Sequence, residues 1–69
     1  MDYATIIKKL RNKLLLTQTE FAEHIGVSFE SVNRWENSKN EPTMKMKRKI
    51  IQLCIENNIP YGNEANDEK

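Results

Sequence analysis

His24 and Cys54 each occur once in the 69-residue sequence. One of each cannot supply the ligand set of a zinc site inside one chain, and a single Cys forms no internal disulfide. A lone His with no nucleophile beside it offers no covalent or acid–base catalysis, and no glycine-rich phosphate loop is present. No catalytic residue, metal or cofactor is therefore expected. The chemistry left is recognition by hydrogen bonds and charge. Ser28, Glu30, Asn33 and Arg34 crowd around Phe29, followed by Asn37, Ser38 and Lys39. Two basic blocks flank them, Lys8, Lys9, Arg11 and Lys13 on one side and Lys45, Lys47, Arg48 and Lys49 on the other. What such groups can do depends on which of them share a face.

Four short helices are predicted to position them. Tyr3, Ile6, Ile7, Leu10 and Leu14 recur at intervals of three and four, which predicts a helix over 3–14 capped by Asp2. Thr17-Gln18-Thr19-Glu20 fits a capping box, with Leu16 and Phe21 placed as a hydrophobic staple. Phe21, Ala22 and Ile25 then form the inner face of a helix over 18–25, which Gly26 ends. Ser28 caps the next, over 29–36, with Val32 and Trp35 inward and Phe29, Glu30, Asn33 and Arg34 outward. A polar loop through Pro42 leads to Thr43 and a fourth helix over 44–57. That helix carries two apolar stripes. Met46, Ile50, Leu53 and Cys54 suit a core, whereas Met44, Ile51 and Ile55 need another partner.

Composition bounds the class. Apolar residues make up 38% and charged residues 30%, with a formal net charge of +1. This describes one small all-α domain, over 1–60, with a polar acidic tail over 61–69 that holds Glu64, Asp67 and Glu68. Removing the tail leaves a modestly basic domain. The longest run of large apolar residues, Leu14-Leu15-Leu16, is far short of the ~20 needed to span a bilayer. No membrane partner is expected. The N-terminus lacks a basic segment followed by an apolar one. The single Cys suits a reducing interior, and a cytoplasmic location is expected.

Two short helices joined by a tight turn at Gly26 form a helix-turn-helix arrangement. Ala22 provides the small residue where the helices meet, and Phe21, Ile25, Val27, Val32 and Trp35 lock them to a neighbour. The run Leu16-Thr-Gln-Thr-Glu-Phe-Ala-Glu-His-Ile-Gly-Val-Ser28, followed by Val32-Asn-Arg-Trp-Glu-Asn-Ser-Lys39, resembles the Xre and phage Cro/repressor family of DNA-binding domains. The likeness covers about residues 5–55, and many constrained positions match together.

The resemblance implies a compact lambda-repressor-like bundle of four or five helices, with the helix over 29–36 in the DNA major groove. It places Ser28, Phe29, Glu30, Asn33 and Arg34 on the base-reading surface. Gln18, Asn37, Ser38 and Lys39 fall at phosphate-contacting positions, with Lys45 among the lysines able to reach the backbone. Arg11 and Glu36 match a buried ion pair between the first and third helices. Two departures stand out. Ser38 occupies the place of a usual glycine, which predicts a looser turn. A fifth helix is reduced to Ile59-Pro60-Tyr61, which removes a common dimerisation element.

Each role competes with a plainer one. Arg34 can be bidentate to guanine or pair with Glu30 one turn away. Glu30 can accept from cytosine N4, Phe29 can touch a thymine methyl, and Asn33 can bond adenine, or each can be a solvated helix residue. Lys45, Lys47 and Lys49 cannot all face one way, so at least one is surface charge. Trp35 reads as packing, His24 as a surface residue at a helix end, and Cys54 as a small core residue. The expected function is sequence-specific double-stranded DNA binding by a small transcriptional regulator of repressor type, as a weak homodimer. The alternative is an antitoxin or adaptor that keeps the fold and uses the Met44/Ile51/Ile55 stripe for a protein partner.

Overall fold

Each helix begins at a side chain that replaces a missing backbone partner. In the computed structural model, which describes residues 2–61, Asp2 accepts from the N–H groups of Ala4 and Thr5 and starts α1, Tyr3–Leu14. Thr17 and Glu20 form the reciprocal capping box that starts α2, Gln18–Ile25. Ser28 accepts from the Ser31 N–H and starts α3, Phe29–Glu36. Thr43 accepts from the Met46 N–H and starts α4, Met44–Glu56, one residue shorter than its sequence pattern implied. All four are caps of the Ser/Thr/Asp type. Among the described residues, regular structure is entirely helical.

The ends are built by one device used four times. Leu15, Gly26, Ser38 and Asn58 all take left-handed backbone, with φ of 60°, 82°, 58° and 59°. The N–H after each reaches back five residues, Leu16 to Arg11, Val27 to Ala22, Lys39 to Arg34 and Ile59 to Cys54, at 2.9 Å in every case. This closes the orphan carbonyls of the last turn. The looser turn expected at Ser38 is not found. Serine adopts the glycine conformation and keeps the turn tight, with its N–H on the Trp35 carbonyl at 3.1 Å.

L residues pay for left-handed backbone in sterics, about 1–2 kcal/mol at each position. Ser38→Gly and Leu15→Gly are therefore expected to stabilise the fold by about 0.5–1 kcal/mol, after the extra freedom of glycine in the unfolded chain is subtracted. Leu15 is 88% exposed, so its removal forfeits no core contact. Gly26→Ala is the mirror case. A Cβ there meets nothing within 4 Å, so any loss measures backbone strain less the gain from a stiffer unfolded chain, with no steric clash added. Urea unfolding midpoints should rise for the first two variants and fall for the third.

The core is the meeting of the four inner faces. Ile7, Leu10, Phe21, Val32, Ile50 and Cys54 are fully buried, with Trp35 beside them. Met46 and Leu53 pack against this core from the expected stripe of α4, as do Leu16 and Val27 ahead of α2 and α3. Ile59 is buried just past α4, and residues 59–61 form no fifth helix. Of the tail expected over 61–69, residues 62–69 lie outside the described residues.

Candidate nucleic-acid interface

The sequence of α3 separates into two faces. Val32, Trp35 and Glu36 are buried, which locks the helix against α1 and α2. Phe29, Glu30 and Arg34 are exposed, and Asn33 is half-buried. Phe29 keeps 43% of its surface open, a large aromatic ring with no core role. Among the described residues the Arg34 guanidinium makes no ion pair, so the alternative partnership with Glu30 is absent. Ser28 is exposed at the head of the helix. Its hydroxyl caps the Ser31 N–H and lies 3.1 Å from the Ser31 hydroxyl.

Behind this face sits the ion pair implied by the resemblance. Arg11 grips Glu36 with two donors, Nε to Oε2 at 2.6 Å and Nη2 to Oε1 at 3.0 Å. Its remaining arm donates to the Leu16 carbonyl at 3.2 Å. The pair joins the end of α1 to the end of α3 and the entrance to α2. Such fork-to-carboxylate geometry fixes orientation as well as charge. Exposure is unequal, with 3% of the Glu36 side chain accessible against 22% for Arg11.

Burial alone would raise the Glu36 carboxyl. Hydrogen bonds from Arg11 and Gln18, with the Arg11 charge, outweigh it and hold the group below its ordinary value of 4.5. A carboxyl whose pKa is lower in the folded state adds stability that is complete above the unfolded value and fades as pH falls through the folded one. The unfolding midpoint should thus drop below about pH 4.5, and Glu36→Gln should remove that part of the slope. Asp2 and Glu41 are also lowered, by hydrogen bonds from Thr5 and Lys47 respectively, so the difference between wild type and variant is the quantity to compare. A parallel pair of pH curves would refute the assignment.

The sites expected to touch phosphate are less uniform. Gln18 heads α2 and is half-buried, with its side-chain amide donating to Glu36 Oε1 at 3.0 Å and accepting from Asn33 at 3.1 Å. Asn37 folds its amide back onto α3, donating to the Asn33 main-chain carbonyl at 2.9 Å. Ser38 and Lys39 are exposed in the turn that follows. Lys45 is exposed in the first turn of α4. Lys47 and Lys49 are engaged locally. Lys47 binds Glu41 at 2.8 Å and lies 5.3 Å from the centre of the Tyr3 ring, and Lys49 donates to the Ile25 carbonyl at 3.1 Å. That last bond closes the C-terminal end of α2 with a cation, where the helix dipole favours one. The sequence showed these lysines as a block and gave no sign of their separate partners.

No described cluster of His, Cys, Asp or Glu has the geometry to hold a metal ion, and no described helix is long and apolar enough to cross a membrane. The structure offers an exposed, largely polar face on α3, whose opposite face is packed against α1 and α2.

Comparison with known proteins agrees with that arrangement. The family model described as helix-turn-helix matches residues 7–54, which contain α2, α3 and most of α1 and α4. A type II methyltransferase, M.SsoII of Shigella sonnei, is 32% identical over 68 residues, covering 94% of this chain and 17% of the relative. The chain thus spans about a sixth of the length of that relative. No solved structure matches the chain. The match to the family model runs through the turn and the whole of α3, and the chain belongs to the helix-turn-helix family of DNA-binding domains, of the Xre and phage repressor type.

Proposed function

We propose that this chain is a sequence-specific double-stranded DNA-binding protein and a small transcriptional regulator of repressor type. It seats α3 in the major groove. The observation that carries this is the split of α3, with Val32, Trp35 and Glu36 locked inside while Phe29, Glu30 and Arg34 stand open along the other side. Arg34 reads guanine, Phe29 contacts a thymine methyl, and Glu30 selects for cytosine or against other bases, with Ser28 at the head of the helix. Gln18, Asn37, Ser38, Lys39 and Lys45 serve the phosphates, aided at Gln18 by the free N–H groups of a helix start. With a net charge of +1, the long-range field is weak, so discrimination falls to α3 and to a second copy of the protein. A cytoplasmic location follows from this role. The transferase activity named for the Shigella sonnei relative is said of that protein, of which the shared stretch is 17%.

A second reading has its own support. Met44 and Ile55 are 62% and 52% exposed, and Ile51 lies between them in a groove with Tyr3 and Tyr61. This face suits a weak homodimer or a protein partner, as in an antitoxin or adaptor. A C2 dimer would favour a palindromic site with half-sites about one helical turn apart.

Selection of bound sequences from a random duplex library tests both. Enrichment of one motif supports regulation through α3, and a palindrome supports the dimer. A protein that retains no duplex even at low salt leaves the partner-binding reading alone.

A further inference from the structure

A directed chain of hydrogen bonds runs behind the reading face, and its polarity has a single origin. An ionised carboxylate can only accept. Glu36, buried and paired with Arg11, therefore takes the N–H end of the Gln18 amide, Nε2 to Oε1 at 3.0 Å. That choice turns the Gln18 carbonyl to α3, where it accepts from Asn33 Nδ2 at 3.1 Å. The Asn33 side-chain oxygen Oδ1 is then left to accept from Asn37 Nδ2 at 3.2 Å, a donor that also meets the Asn33 main-chain carbonyl at 2.9 Å. The amides of Gln18 and Asn33 are oriented in series by one charge, and Asn37 closes the series.

We propose that Asn33 is a positioning residue rather than a base reader. It holds the Gln18 amide in place against Glu36, so that the second, unengaged N–H of Gln18 is presented to a DNA phosphate. Base reading is left to Phe29, Glu30 and Arg34. The inference rests on the DNA-binding reading above. Two observations favour it. Asn33 is half-buried where Glu30 and Arg34 are exposed. Both ends of its amide are engaged, whereas a bidentate adenine contact uses both a carbonyl and an amino group of the same side chain. Taking Asn33 for a base would release the Gln18 carbonyl and its orientation with it. Gln18 stands at the first position of α2, beside backbone N–H groups that also suit an anion.

The test is a titration of wild type, Asn33→Ala, Gln18→Ala and the double variant on the selected site, on copies with each base pair replaced, and on random duplex. The two single variants should each weaken cognate and random binding alike, by about tenfold, the worth of one phosphate hydrogen bond. The double variant should bind no worse than either single one, and the preference at every base pair should be unchanged. A loss confined to the cognate site, with a flattened preference at one base pair, makes Asn33 a reader and overturns the proposal. So does a double variant whose loss is the product of the two. A wild type that binds no duplex overturns the DNA reading and the proposal together. A measurement without DNA guards against a folding defect. In the free protein the Gln18 side-chain NH2 resonances should shift on Asn33→Ala while the core backbone amides hold, and unmoved Gln18 signals overturn the link.

Discussion

Arg11→Ala is expected to destabilise the fold by about 3–5 kcal/mol, more than the removal of Glu36 itself. The asymmetry follows from burial. Taking away Arg11 strands a carboxylate with 3% of its side chain accessible, and Gln18 offers only a neutral N–H in return. Taking away Glu36 leaves a guanidinium that is 22% exposed and still bonded to the Leu16 carbonyl. The Arg11 side chain can turn toward water, so Glu36→Ala should cost less, about 3 kcal/mol, at the low end for a broken buried pair. Equilibrium urea unfolding at neutral pH gives both numbers. Losses under about 1 kcal/mol for both would place the pair in the class of exposed ion pairs.

The Arg11→Ala variant should also flatten the pH dependence. Without the hydrogen bonds and charge of Arg11, burial is opposed only by the Gln18 hydrogen bond and the Lys8 charge, and the folded-state value of Glu36 moves up from its wild-type position. The stability that wild type loses as pH falls through the folded value of Glu36 should then shrink. Replacing both partners by apolar residues, Arg11→Met with Glu36→Leu, should recover much of the stability. It should not recover DNA binding in full, because the Gln18 amide loses the acceptor that orients it. The pair is best understood as a device that seats α3 and aligns the groups around it.

That pair was legible in the sequence because the motif brings Arg11 and Glu36 to known places. The helix boundaries were legible for a local reason. Asp2, Thr17, Ser28 and Thr43 are cap residues by type, and the apolar period between them is short and regular. The left-handed ends were legible at Gly26, where the residue type announces the backbone, and illegible at Leu15, where leucine announces nothing. Ser38 was expected to loosen its turn. The last-turn carbonyls of α3 needed closing, and the backbone accepted a strained serine to do so. The amide series through Gln18, Asn33 and Asn37 was hidden. It depends on how α2 crosses α3, and amide side chains carry no periodic signal. The basic block of α4 was visible as charge, but Lys47 and Lys49 are drawn off by Glu41 and by the end of α2. Such assignments need the geometry of neighbouring elements, which no local pattern records.

Arg34→Ala should weaken binding to the selected site by about 1–3 kcal/mol and flatten the preference at one base pair. The structure removes the competing role for this residue, since its guanidinium has no acidic partner among the described residues and is open at the surface. Its stabilising effect on the free protein is limited to favourable placement in the last turn of α3, worth about 0.3–1 kcal/mol. A fall in affinity beyond that cannot come from folding. Lys39→Ala supplies the contrast. Lys39 lies outside α3, in the exposed turn that follows it, and is assigned to phosphate, so its removal should weaken every duplex about equally and lower the salt slope by about one. Glu30→Ala should move the other way on random DNA. A carboxylate facing phosphates opposes non-specific binding, so its removal should tighten random duplex while narrowing the gap between cognate and random. Titrations at two salt concentrations separate the three signatures. If Arg34→Ala loses as much on random duplex as on the selected site, Arg34 is another backbone contact, and base selection must be sought in Phe29 and Glu30.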